Sequence, residues 1–381
     1  MTGQFQLTDD QLAIQDMARK FTADRITPFA AQWDEIHHFP RDVVQAAGEL
    51  GFGSIYVSEE SGGINLGRLE AALIMEAMAY GCPATSAYIS IHNMASWMID
   101  RFGGEEVKAR FLPRLVSMEH IASYALTEPG SGSDAAALKT TARLDGDHYV
   151  INGTKQFISG SGFNDIYVVM VRTSDDKSRG ITCLVVEKGT PGLSHGAPEN
   201  KLGWNASPTA QLIFEDCRVP VANRVGGEGE GFRFAMAGLD GGRLNIGACS
   251  LGGAQRCLDE AVAYSKDRQQ FGQPIAEFQN TQFMLADMAT ELEAARALLY
   301  LAAAKVTDNA PDKTRFSAMA KRLATDSGSK IVNDALQLFG GYGYLKDYPI
   351  ERFWRDLRVH SILEGTNQVM RMIVGRDMLR Q

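Results

Sequence analysis

Hydrophobic positions change their period twice along the chain. From Thr8 to about residue 117 they recur at helical spacing, and Thr8-Asp9-Asp10-Gln11 predicts a capping box that opens a helix with Leu12, Met17 and Phe21 facing inward. Pro40 sits where a second helix starts and Gly51 where it ends. Further helices are expected over 69–80, stopped by Gly81-Cys82-Pro83, and from about 85 to 102. Between Ile121 and Pro220 the pattern shortens into runs of branched and aromatic residues at 121–126, 166–171, 181–186 and 210–214, which predict strands. Asp145-Gly146 and Asn152-Gly153 are the clearest hairpin turns between them. After the glycine-rich stretch 226–231 the helical period returns over 231–267, 278–308 and 313–339, with shorter pieces around Glu364; long Ala- and Leu-rich helices of this kind form bundles. The expected fold is α+β in the order α, β, α: an N-terminal helical domain over 1–120, a middle β domain over 121–225 and a C-terminal helical bundle over 226–381.

A length of 381 residues agrees with two or three such domains, and 45% hydrophobic with 22% charged residues supplies core for them. The net charge of -8 argues against nucleic acid as a partner, since phosphate backbones call for a basic face. No apolar run reaches the ~18 residues of a membrane span, and residues 1–15 have neither a secretory nor a transit-peptide pattern. Five scattered cysteines without a CxxC pair predict reduced thiols and a cytoplasmic protein, and the seven histidines form no metal-binding pattern.

Candidate chemistry is concentrated in a few stretches. In Ile362-Leu363-Glu364-Gly365-Thr366-Asn367-Gln368 a carboxylate stands in an apolar run before a helix start. It is either a desolvated base with a raised pKa or an ordinary first-turn glutamate facing the helix dipole. Tyr124-Ala125-Leu126-Thr127-Glu128-Pro129-Gly130-Ser131-Gly132-Ser133 leaves a strand into a loop whose small residues admit a flat group and whose amides and hydroxyls can bond its rim. It matches neither a dinucleotide fingerprint nor a P-loop. Phe157, Ile158 and Ser159 follow, and Phe157 serves equally as a cofactor cover or a strand aromatic. Arg268 at a helix end, and glycines ending a helix after Gln337, have plain capping explanations. Gly241-Gly242 lies inside helical sequence at a cost of up to about 1 kcal/mol each relative to alanine, so something close by needs the room.

Taken in order, YALTEPGSGSD, FISG, DRQQFG, QLFGGYGY and ILEGTNQVMR resemble the acyl-CoA dehydrogenase family over essentially the whole chain. The resemblance implies a C-terminal four-helix bundle, FAD as cofactor, an acyl-CoA substrate, electron-transfer flavoprotein as acceptor and a homotetramer. It implies Glu364 as the base that removes the α-proton. Tyr124, Leu126, Thr127, Gly132, Ser133, Phe157, Ile158, Ser159, Thr366 and Gln368 would bind FAD, and Arg268, Phe271, Phe278, Gln279, Gln337, Gly340 and Gly341 would reach it across a subunit boundary. Ser133, Asp240, Arg243, Glu364 and Gly365 would meet the substrate. Some relatives carry their base on the helix near Arg243, where this chain has Gly242, which leaves Glu364 as the candidate. Bulky Tyr88, Ile89, Ile91 and Met94 suggest a pocket for a short branched acyl group, or simply a helix core. The alternatives are a 2-methylbutyryl or straight short-chain substrate, an oxidase using O₂, and a non-catalytic acyl-CoA-binding or assembly homologue without a flavin.

Overall fold

A computed structural model describes residues 6–380. Its first third is helical: α1 (Asp9–Phe21), α2 (Ala30–Glu35), α3 (Arg41–Glu49), α4 (Arg68–Ala79), α5 (Pro83–Phe102) and α6 (Glu105–Val116). The capping box at α1 is present on both sides, Thr8 and Gln11 each accepting from the other's backbone N–H. The inward face is Gln15, Ala18 and Phe21, whereas Leu12 and Met17 are 45% and 38% exposed, contrary to expectation. One apolar stripe suffices where a short helix lies on a single neighbour, here mainly α4.

The middle of the chain carries β1 (Ala122–Ala125), β2 (Thr141–Asp145), β3 (His148–Ser159), β4 (Ile166–Arg172), β5 (Ile181–Glu187), β6 (Leu193–His195), β7 (Thr209–Pro220) and β8 (Arg224–Val225). They form one sheet in the order β6-β7-β3-β2-β4-β5-β8, with β1 parallel to β4. Residues alternate along β4: Ile166, Val168 and Met170 pack with Met98, Phe111 and Leu115 of the helices, while Tyr167, Val169 and Val171 pack with Tyr149, Ile151 and Phe214 inside the β layer. Covering on both faces explains why this strand is an unbroken apolar run. Asp145-Gly146 is the turn between β2 and β3 as expected. Asn152-Gly153 is not a turn. It lies inside β3 at a register shift against β7, with Gly153 at φ 143°, because a Cβ there would stand 2.7 Å from Thr140 Cα on the neighbouring chain segment.

The chain then returns to helix with α7 (Gly231–Asp267), the small hairpin β9 (Gln269–Gln270) and β10 (Gln273–Pro274), α8 (Gln279–Thr307), α9 (Lys313–Phe339), α10 (Ile350–Arg358) and α11 (Asn367–Met378). Helices α7, α8 and α9 pack on one another and α11 runs along α9. The N-terminal helices do not have a core of their own: α4 and α5 pack on α7, and a single apolar cluster runs from Ala18 through Leu244 to Phe339.

Candidate active site

Glu364 occupies the turn between the short helical segment Val359–Ser361 and α11. It has φ 55° and the following Gly365 has φ 91°. A left-handed glutamate is a strained conformer that only its surroundings can hold. Those surroundings are well defined. Lys321 on α9 is fully buried and donates to the Gly365 carbonyl and to Asn367 Oδ1, both at 2.9 Å. Arg243 on α7 reaches the Glu364 carbonyl at 3.4 Å and pairs with Asp240 at 2.8 Å. Thr366 caps α11 by accepting from the Val369 N–H. On the other side, the Trp204 indole N–H can only donate, so His360 Nε2 accepts it at 3.2 Å and Nδ1 carries the proton shared with Ser250 Oγ at 2.7 Å. Burial holds His360 neutral, its pKa down to about 3, which leaves Nε2 free to accept.

The Glu364 side chain rests on α7. A Cβ at Gly242 would stand 2.6 Å from Oε2, so the glycine is required by the carboxylate itself, and Gly241 makes the same allowance for the Arg68 guanidinium. Oε2 is buried and has no hydrogen-bond partner. Burial raises the pKa of Glu364 to about 7, against the opposing pull of Arg243 and Lys321. An orphan carboxylate oxygen with a near-neutral pKa has the properties that general-base chemistry requires.

Facing it is Tyr124 on β1, whose buried hydroxyl also lacks a partner and whose pKa is driven well above the usual value by burial and by the Glu364 charge. The loop after β1 is braced from below: Lys155, fully buried, donates to Glu128 at 2.8 Å and to the Leu126 carbonyl at 3.1 Å. Gln156 N–H bonds the Thr127 carbonyl at 2.8 Å and Ser123 Oγ bonds the Ser159 carbonyl at 2.7 Å, so the loop and the end of β3 form one wall. On it Phe157 stands at φ 58° with 64% of its surface exposed, and Gly132 and Ser133 are exposed beside open space. The open aromatic face, polar loop rim and orphan hydroxyl fit a flat, polar-edged group such as an isoalloxazine.

Not every expected residue points there. Leu126 and Ile158 turn their side chains into the two β-layer cores. Asp240 and Arg243, expected at the CoA arm, are buried against each other and Thr314, tying α7 to the base turn. Tyr88 and Ile89 are core residues, Tyr88 packed at a tilt of 40° against Phe39 and donating to Asn164, while Met94 lies against Gly238 of α7. Arg268, Gly340 and Gly341 line a separate surface cleft of about 470 Å³, and Phe271, Gln279, Gln337 and Gln368 are exposed, with Phe278 half-buried. Lys321, His360 and Arg68 escaped the sequence reading. The available signal was an ionisable residue on the apolar face of a helix, as Lys321 stands among Ala318, Ala320 and Ala324.

The chain thus sets a buried, unpartnered carboxylate oxygen opposite an open loop wall within a three-part α, β, α fold. The N-terminal, middle and C-terminal domains of acyl-CoA dehydrogenases match residues 8–119, 123–217 and 229–379, and the chain belongs to the acyl-CoA dehydrogenase family, whose members depend on FAD. It is 57% identical over 373 residues to the mitochondrial isobutyryl-CoA dehydrogenase of Dictyostelium discoideum, covering 98% of this chain and 90% of the relative. It is 53% identical over 375 residues to the Bos taurus enzyme of the same name, with the same coverage. A chain from the solved electron transferring flavoprotein work on Acidaminococcus fermentans superposes with a TM-score of 0.97 at 44% identity, over 99% of this chain and 100% of that one. The protein is an acyl-CoA dehydrogenase.

Proposed function

We propose that the substrate is isobutyryl-CoA, oxidised to methacrylyl-CoA with FAD, and that the electrons leave to an electron-transfer flavoprotein. The observation that carries the catalytic part is the unpartnered Oε2 of Glu364, buried on Gly242 and set by its surroundings to a pKa of about 7. FAD, when bound, supplies the two-electron acceptor chemistry. Glu364 takes the α-proton of the acyl group and is the only side chain asked to change charge. Its backbone N–H has no bonded acceptor among the described residues, which supports a role in polarising the thioester carbonyl as negative charge develops there. Tyr124, Thr127, Phe157 and Ser159 form the wall that orients the cofactor, with Thr366 and Gln368 beside the base. Ser133 at the open end of the loop is placed for the CoA arm.

The choice of isobutyryl over 2-methylbutyryl or a straight short chain rests on the relatives of that name. The exposed apolar residues Phe271 and Tyr344, each next in sequence to a residue lining the cleft of Arg268, Gly340 and Gly341, support a homotetramer. The five free, buried thiols agree with a reducing, cytoplasm-like compartment, and no described helix is long and apolar enough to cross a membrane.

Anaerobic flavin reduction by a series of acyl-CoAs tests the reading. Isobutyryl-CoA should bleach the flavin fastest, and Glu364→Gln should remain yellow and lose ~10²–10⁴ in rate. A Gln variant that bleaches at the wild-type rate removes Glu364 from the reaction.

A further inference from the structure

Beside the base lies a buried cation that the reaction does not use. Arg68, the first residue of α4, is 8% exposed. Its guanidinium lies 3.6 Å from the ring centroid of Tyr56 and 5.2 Å from that of Trp97, and no carboxylate among the described residues forms an ion pair with it. Asp240, the acid that acts on it through space, is already held by Arg243 and Thr314. A buried guanidinium without a counter-charge is costly, and two aromatic faces recover only part of that.

Arg68 Nη1 occupies the space a Cβ of Gly241 would take, while Glu364 Oε2 occupies the space of a Gly242 Cβ. Guanidinium and base therefore lie against adjacent residues of α7, on directions that diverge by about 100° around the helix axis. The far side is closed as well. One turn further along α7, Asn245 donates to the Tyr56 hydroxyl at 3.2 Å and to Ser90 at 2.9 Å, and one turn back Met94 and Met98 touch Gly238. An acyl chain whose α-carbon meets Glu364 and whose tail runs on between α4, α5 and α7 would come up against the Arg68–Tyr56 plate.

We propose that Arg68, held flat on Tyr56, is the end wall of the acyl site and the residue that limits this enzyme to short acyl groups. The inference rests on Glu364 being the base for a short acyl-CoA. A longer chain would have to displace a guanidinium pinned between two rings and α7. A four-carbon branched acyl group stops short of it.

The test compares kcat/KM for hexanoyl-CoA and isobutyryl-CoA in flavin-loaded wild type, Arg68→Ala, Arg68→Leu and Arg68→Met. Removing the plate should raise the hexanoyl to isobutyryl ratio by about tenfold or more in Arg68→Ala, since each methylene accommodated is worth about 10-fold or more. Should the alanine variant fail to fold, Arg68→Leu, apolar and shorter, gives the same reading. Arg68→Met, of similar length without charge, should keep the ratio within about threefold of wild type, because the wall acts by bulk. An unchanged ratio in folded Arg68→Ala or Arg68→Leu overturns the proposal, as does a Met variant that behaves like Ala. If wild type itself ignores isobutyryl-CoA, the parent reading fails instead, so the two failures are told apart.

Discussion

Glu364 shows how one residue's surroundings set both chemistry and stability. Its carboxyl goes from an ordinary 4.5 to about 7 because burial disfavours the anion. A raised folded pKa means that stability is fullest below about pH 4.5 and is lost as pH climbs toward 7, by up to about 3 kcal/mol. Glu364→Gln should therefore be more stable than wild type at about pH 8 and equal to it at about pH 4.5, read as Tm at the two values. Activity runs the opposite way: kcat/KM should rise through about pH 7 as the base ionises. Lys321→Met removes a cation that lowers this pKa and unties the Gly365 carbonyl, so the rising limb should move to higher pH. Gly242→Ala places a methyl 2.6 Å from Oε2 and should cost ~10²-fold in kcat/KM while the flavin stays bound. An alanine variant of near wild-type rate would show that the carboxylate has room to move. Glu364 itself was legible because apolar neighbours, a glycine and a cap are contiguous. Lys321, Arg68 and His360 were not, since what matters about each is the face of a helix it occupies and what lies opposite.

Among the elements, periodicity carried furthest where a helix is long. The expected bounds of α7 and α9 coincide with those observed, and α4 and α8 differ by a residue at each end. Short strands were only partly visible: β2 and most of β3 are half polar, and Asn152-Gly153 imitates a hairpin turn in the middle of a twelve-residue strand. Turn chemistry signals a positive φ, which bulges need as much as hairpins do. Gly153→Val should thus fail twice over, through φ 143° and through the clash with Thr140, and cost about 2–4 kcal/mol in denaturant unfolding. A loss under about 1 kcal/mol would mean the bulge can slide. The same strand's second shift, between Lys155 and Ile158, is where Phe157 turns outward. An irregularity that aims a side chain out of the sheet is thus part of the wall opposite the base.

At the scale of the whole molecule, order along the chain and association in space part company. The sequence suggests one compact N-terminal helical unit, and within it α4 and α5 also pack on α7, which begins only at Gly231. Local periodicity tells which face of a helix is apolar and nothing about which distant helix covers it. The same gap applies to surfaces. Phe271 is 95% exposed at φ 52°, at the tip of the β9–β10 hairpin, with only an edge contact to Phe278 at 6.1 Å. A strained, fully exposed aromatic is hard to account for in a lone chain and simple to account for if another copy covers it. Phe271→Asp would put a charge into that interface while leaving every buried contact of the protomer intact. Sedimentation velocity should then show the proposed tetramer giving way to smaller species, with flavin released in parallel because Arg268 and Gln279 no longer meet a neighbour. A Phe271→Asp protein that keeps both its mass and its flavin would move the subunit contact elsewhere and leave the hairpin tip without its proposed role.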